Sequence, residues 1–186
     1  MLMPQRGHDK PDLPDSHYLD NRIFTDERVF AAERTHIFSK VWQFACHESE
    51  VNAPGDFRCI RVADKSILVV RGSDGAVRGF HNVCRHRSAE VVREQSGNAK
   101  RFTCFYHHWT YELTGELRAV TKPDGYEAVK LDKSRLGLIP VRCEILAGLV
   151  FISLDEAAMP LREFLGDIAT GFLEPLGTIP LEAFHF

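Results

Sequence analysis

Apolar and polar positions follow two rhythms along this chain. Over residues 26–41, Val29, Phe30, Ile37 and Phe38 recur at helical spacing with Glu33 among them, which predicts a helix packed by its apolar stripe on the outside of a sheet. From Trp42 the period shortens. Residues 56–62, 66–71 and 76–80 are rich in β-branched or aromatic side chains, and Gly72-Ser73-Asp74-Gly75 separates the last two as a hairpin turn does. Residues 101–105 and 110–113 read as further strands, with a second turn at Thr114-Gly115, and 149–153 as another. Short strands kept up over about 110 residues predict a mainly β fold with flanking helices (α+β), built on a small antiparallel domain with loops at its hairpin ends. Residues 161–173 follow as an amphipathic helix, with Pro160 near its start and Phe164, Leu165, Ile168, Phe172 and Leu173 on one side. The expected divisions are a polar leader at 1–25, a helix at 26–41, the β domain at 42–155, and a last segment at 156–186.

A chain of 186 residues holds one domain, or one domain plus the beginning of another. Apolar and charged shares of 44% and 26% are those of an ordinary globular protein. A net charge of −3 argues against nucleic acid as the main partner, since phosphate binding leaves a basic footprint; a redox or subunit partner fits better. The best apolar run, 145–152, is far short of the roughly 18 to 20 residues that cross a bilayer, so no membrane partner is expected. Residues 1–14 carry Pro, Asp and charge in place of the apolar core of a secretory signal. The five cysteines, at 46, 59, 84, 104 and 143, are odd in number and lack a secreted-scaffold spacing. Cys46, Cys59 and Cys143 are expected to be buried, inert thiols, and the cytoplasm is the expected compartment.

The other two cysteines stand in the most informative pattern of the chain. Cys84-Arg85-His86 is followed after seventeen residues by Cys104-Phe105-Tyr106-His107. Two thiolates and two imidazoles on two short loops are the ligand set of a Rieske centre, in which two His replace two Cys on one of two irons. A neutral imidazole leaves less negative charge on the cluster than a thiolate, which raises the potential to roughly −150 to +300 mV from about −400 mV for all-Cys plant-type ferredoxins. Zinc also takes Cys₂His₂, but such sites usually pair Cys with Cys and His with His, whereas each pair here is mixed.

The stretch Phe80-His81-Asn82-Val83-Cys84-Arg85-His86-Arg87-Ser88-Ala89-Glu90, with Cys104-Phe105-Tyr106-His107-His108-Trp109-Thr110-Tyr111, resembles the N-terminal half of the large (alpha) subunit of Rieske non-haem iron oxygenases. These are the aromatic-ring-hydroxylating dioxygenases and their monooxygenase and demethylase relatives. Trp42, His47-Glu48-Ser49-Glu50-Val51 and Gly55-Asp56-Phe57 fit the same pattern, so the resemblance runs from about residue 26 to the end. It implies a 2Fe-2S cluster held by Cys84 and Cys104 on the inner iron and His86 and His107 on the outer one. It further implies that electrons come from an NAD(P)H-dependent reductase or ferredoxin and leave through His86 or His107. Their destination would be a mononuclear non-haem Fe(II), across a contact with a neighbouring large subunit in a homotrimer or α3β3 assembly. Residues 181–186 resemble the first strand of the family's catalytic domain, which carries that iron on two His and one carboxylate. His185 is the last histidine and none other follows His108, so no catalytic residue is assigned here.

Two positions depart from the family's commonest pattern: Ser88 and His108 stand where Gly often follows the ligand loop's basic or imidazole residue. His108 is expected to diverge from His107 as neighbours do in an extended segment. Ala89 and Tyr106 occupy the neighbourhoods where respiratory Rieske proteins carry a disulfide, so that bridge is absent. Trp109 and Tyr106 are expected to form an apolar wall beside the cluster, and Arg85 and Arg87 either to meet a neighbour's carboxylates or to remain solvated. A free-standing Rieske-type ferredoxin and a zinc-stabilised interaction module remain as alternatives.

Overall fold

The computed structural model describes residues 22–178. The expected start of a catalytic domain at 181–186, and most of the polar leader, lie outside them. Among the described residues ten strands form two antiparallel sheets, one of seven strands in the order β1-β10-β9-β4-β3-β2-β5 and one of three in the order β6-β7-β8. In chain order they are β1 (Gln43–His47), β2 (Asp56–Val62), β3 (Lys65–Arg71), β4 (Val77–His81), β5 (Ser96–Asn98), β6 (Phe102–Thr103), β7 (Thr110–Tyr111), β8 (Leu117–Ala119), β9 (Pro140–Leu146) and β10 (Leu149–Ser153).

Strand β3 explains how the sheets share a core. Its run Ile67-Leu68-Val69-Val70 is apolar without alternation, as a strand covered on both faces requires, and all four side chains are fully buried. Period-2 geometry sends Leu68 and Val70 into one cluster with Phe57, Phe80, Phe102, Trp109 and Tyr111, between the two sheets. Ile67 and Val69 enter a second cluster with Cys46, Val51, Val150 and Ile152. The β2–β3 hairpin closes on Ala63 and Asp64 at φ 47° and 66°, and the β9–β10 hairpin on Ala147 and Gly148 at φ 52° and 78°. Both central residues with positive φ define the turn whose twist matches its strands.

The helices differ from expectation. Asp26 interrupts the first by capping it: its carboxylate accepts the Arg28 N–H at 2.8 Å, dividing α1 (Arg22–Thr25) from α2 (Glu27–Glu33), and a π turn over Arg34–Phe38 continues α2. The apolar stripe is only partly covered: Val29 and Phe38 are half-buried, while Phe30 and Ile37 stay about half exposed. Ion pairs also hold this segment, Arg34 pairing with Asp64 of the β2–β3 turn and Lys40 with Asp155. Helix α3 (Leu161–Leu176) breaks at Gly166 (φ 71°, ψ 171°), and Leu161 and Thr170 are its buried residues. Phe164, Ile168 and Phe172, placed by the sequence on an apolar face, are exposed among the described residues.

Candidate metal centre

Both ligand segments are built on the same turn. In the first, Cys84 N–H donates to Ala89 O at 2.8 Å and Ser88 N–H to Cys84 O at 3.0 Å; in the second, Cys104 N–H donates to Trp109 O and His108 N–H to Cys104 O, each at 2.9 Å. The fifth residue of each, Ser88 and His108, has φ 55°, in the left-handed region where a Cβ is strained. The two positions where the family often has glycine therefore keep a glycine-like backbone. This also corrects the expectation of an extended segment at His108, whose exposed side chain leaves a tight left-handed turn.

The flanks of the two loops are unlike. The second closes the β6–β7 hairpin, where Phe102 pairs with Tyr111 and Thr103 with Thr110. The first leaves β4 and enters β5, which lie on opposite sides of β3 and β2 in the sheet order. Thr121 Oγ1 donates to the His107 carbonyl at 2.9 Å and adds a brace to the second loop.

The four side chains singled out from the sequence come together in like pairs. Cys84 and Cys104 are buried in the same core cluster, near enough for Cys84 to help raise the Cys104 pKa. His86 and His107 face each other with ring centroids 4.6 Å apart at 78°. Burial pushes the Cys104 thiol pKa up, against the pull of the Tyr106 and His107 backbone N–H groups, which donate to its sulfur. Burial is likewise the main cause that lowers the His86 pKa, with the charge of His107 next. Among the described residues no three His, Cys, Asp or Glu converge on a single ion. Thiol beside thiol and imidazole beside imidazole is the division a two-iron cluster asks for, two protein donors to each iron.

Two buried polar atoms among the described residues lack a partner, His86 Nδ1 and Trp109 Nε1, and they belong to neighbouring rings. Trp109 is 3% exposed and stacks on His86 at 4.9 Å and 11°, while Tyr126 presents its hydroxyl 3.5 Å from His86 Nε2. A buried nitrogen with no acceptor or donor is costly unless something binds it. The orphaned Nδ1, next to two buried thiols, fits a metal cluster at this place.

Trp109 is thus the expected wall beside the site. Tyr106 is only partly one: it covers the His107 ring at 3.8 Å but remains half exposed. Arg85 and Arg87 are exposed, and Arg93 lies 4.5 Å over the Phe105 ring. Sequence reasoning passed over Tyr111, which is fully buried, stands 3.3 Å from Cys84 Sγ and accepts the Arg85 N–H at 3.0 Å. Its signal was its place in the expected strand at 110–113, directly after the second candidate ligand loop. Tyr126 and Asn82 carry no such pattern. The remaining cysteines are free thiols, with burial pushing Cys46, Cys59 and Cys143 up to about 12.

The chain belongs to the Rieske [2Fe-2S] domain family, whose model matches residues 41–133. Within that family it is similar to large subunits of oxygenases. It is 44% identical to the 2-aminobenzenesulfonate 2,3-dioxygenase subunit alpha of Alcaligenes sp, over 92% of this chain and 44% of that protein. It is 34% identical to the methanesulfonate monooxygenase hydroxylase subunit alpha of Methylosulfonomonas methylovora, over 99% of this chain and 48% of the relative. A solved structure of naphthalene 1,2-dioxygenase with indole bound in its active site has 40% identity and a TM-score of 0.76, over 82% of this chain and 34% of that one. The chain therefore spans less than half the length of these relatives. No helix among the described residues is long and apolar enough to cross a membrane.

Proposed function

We propose that Cys84 and Cys104 hold one iron and His86 and His107 the other iron of a 2Fe-2S cluster, as the relay portion of an oxygenase large subunit. The observation that carries this reading is the pairing of two buried thiols beside two facing imidazoles, one of which has a buried, partnerless Nδ1. Bound there, the cluster supplies one-electron transfer from a reductase or ferredoxin donor toward a mononuclear non-haem iron in the longer assembly, which oxygenates an organic substrate.

The chain's own residues prepare that place. Tyr106 and His107 N–H groups aim at the Cys104 sulfur and Tyr111 at the Cys84 sulfur, favouring negative charge on both. Trp109 excludes water from one face of His86, and Tyr126 covers its Nε2. His86 and His107 are both half-buried, and His107 lies against the exposed Tyr106 ring, where a neighbouring large subunit of a trimeric or α3β3 assembly would dock. Cysteines that form no disulfide suit a reducing compartment such as the cytoplasm. The similarity extends well beyond residues 41–133 to oxygenase subunits, which favours an oxygenase portion over a free-standing ferredoxin.

Replacing His86 or Cys104 with Ala should abolish the visible absorption and the paramagnetic signal of the reduced protein, while Cys143→Ala leaves both intact. Retention of both signals in either ligand variant would refute the assignment.

A further inference from the structure

The first ligand loop is closed by one buried amide. Asn82 is fully buried, two residues before Cys84. Its Oδ1 accepts the Val91 and Val92 N–H groups at 3.1 and 2.9 Å, and its Nδ2 donates to Val92 O at 2.7 Å and Ser66 Oγ at 3.1 Å. That uses both donors and both acceptor positions of a carboxamide. The Asn82 backbone N–H also donates to Ser66 O at 2.9 Å. One residue thus joins the start of the loop to its end, and both to the edge of β3.

We infer that Asn82 is a positioning residue for the cluster: it fixes where Cys84 and His86 stand relative to Cys104 and His107. The inference rests on the ligand reading above. The second loop needs no such clamp, because the β6–β7 ladder closes its mouth and Thr121 braces His107. The strands flanking the first loop pair with different neighbours, so no ladder joins its ends. The bonds inside the turn, from Cys84 N–H to Ala89 O and from Ser88 N–H to Cys84 O, involve neither the Asn82 side chain nor Val91 and Val92. Loss of the amide leaves the turn formed but free to tilt on the sheet. The consequence falls on ligand geometry, a buried amide acting on a metal site through the backbone that carries its ligands.

The test uses the whole chain purified with its cluster, comparing the parent with Asn82→Ala, Asn82→Asp and Ser66→Ala. The readouts are release of iron to a chelator, followed by bleaching of the visible bands, and the g-values of the dithionite-reduced protein. Asn82→Ala should release iron at least tenfold faster with shifted or broadened g-values, while its far-ultraviolet dichroism stays that of the parent. Asn82→Asp keeps both acceptor bonds and should fall between the two, and Ser66→Ala should change the rate about twofold. Parental rates and g-values in a folded Asn82→Ala would overturn the inference. Should that variant not fold, parental behaviour of both Asn82→Asp and Ser66→Ala would overturn it instead. A parent chain that holds no 2Fe-2S cluster would overturn the ligand reading itself, a different and separately visible outcome.

Discussion

The Tyr111 hydroxyl stands 3.3 Å from Cys84 Sγ while accepting the Arg85 backbone N–H at 3.0 Å. With the N–H occupying a lone pair, the hydroxyl proton is left to donate to sulfur. Tyr111 belongs to β7 and Cys84 to the opposite loop, so this one group also ties the two ligand loops together.

A donor to sulfur favours the state with more negative charge, the reduced one. Tyr111→Phe should therefore lower the reduction potential by on the order of 50 mV, given that a tenfold change in a one-electron equilibrium is about 59 mV. Potentiometric titration followed by visible absorption checks it; an unchanged or raised potential would count against the bond.

Ser88 and His108 hold left-handed backbones that cost a side chain about 1–2 kcal/mol and a glycine almost nothing. Part of that gain returns as extra freedom of the unfolded chain. Ser88→Gly and His108→Gly should each raise stability by up to about 1 kcal/mol. Denaturant midpoints that fall in both would show the turns are not strained.

Gly115 is the opposite case. At φ 88° it brings its backbone against Phe80, whose ring would lie 2.4 Å from an added Cβ. Gly115→Ala should cost about 2 to 4 kcal/mol, from left-handed strain and overpacking together. Chemical denaturation measures it, and a loss under about 1 kcal/mol would contradict the packing.

The Asp56 carboxylate accepts the Asn98 side-chain amide at 2.8 Å and the Ala53 N–H at 2.7 Å, and these bonds, the amide first, lower its pKa. A carboxyl depressed in the folded state stabilises above its unfolded pKa, near 4, and loses that contribution as pH falls through the folded value. Asp56→Ala should thus be less stable than the parent at pH 7 by about 1 kcal/mol. The gap should narrow steadily below about pH 4. A gap that widens on acidification would reverse the sign.

The strands read most directly from the sequence were those with a continuous apolar or β-branched run. The expectations at 56–62 and 149–153 coincide with β2 and β10, and those at 66–71 and 76–80 fall within one residue of β3 and β4. Strand β9 escaped notice because it has no continuous apolar run, although Val141, Cys143 and Ile145 alternate with Pro140, Arg142 and Glu144 as in a half-buried strand; it pairs with β10 on one side and β4 on the other. Strand β5, Ser-Gly-Asn and wholly exposed, has no strand propensity and exists through its ladder with β2. The four proposed ligands stood out in the sequence because their chemistry is local and their spacing rare. Asn82 and Tyr126 were not, since their roles depend on partners up to forty residues away that only the fold assembles.

The central claim is best tested by pulsed electron paramagnetic resonance of the reduced chain labelled with ¹⁵N-histidine, alongside iron and sulfide analysis. The account predicts two iron and two sulfide per chain and two coupled imidazole nitrogens, with no paramagnetic signal left in His86→Ala. A zinc-containing, colourless chain, or a paramagnetic cluster with no histidine nitrogen coupling, would contradict it.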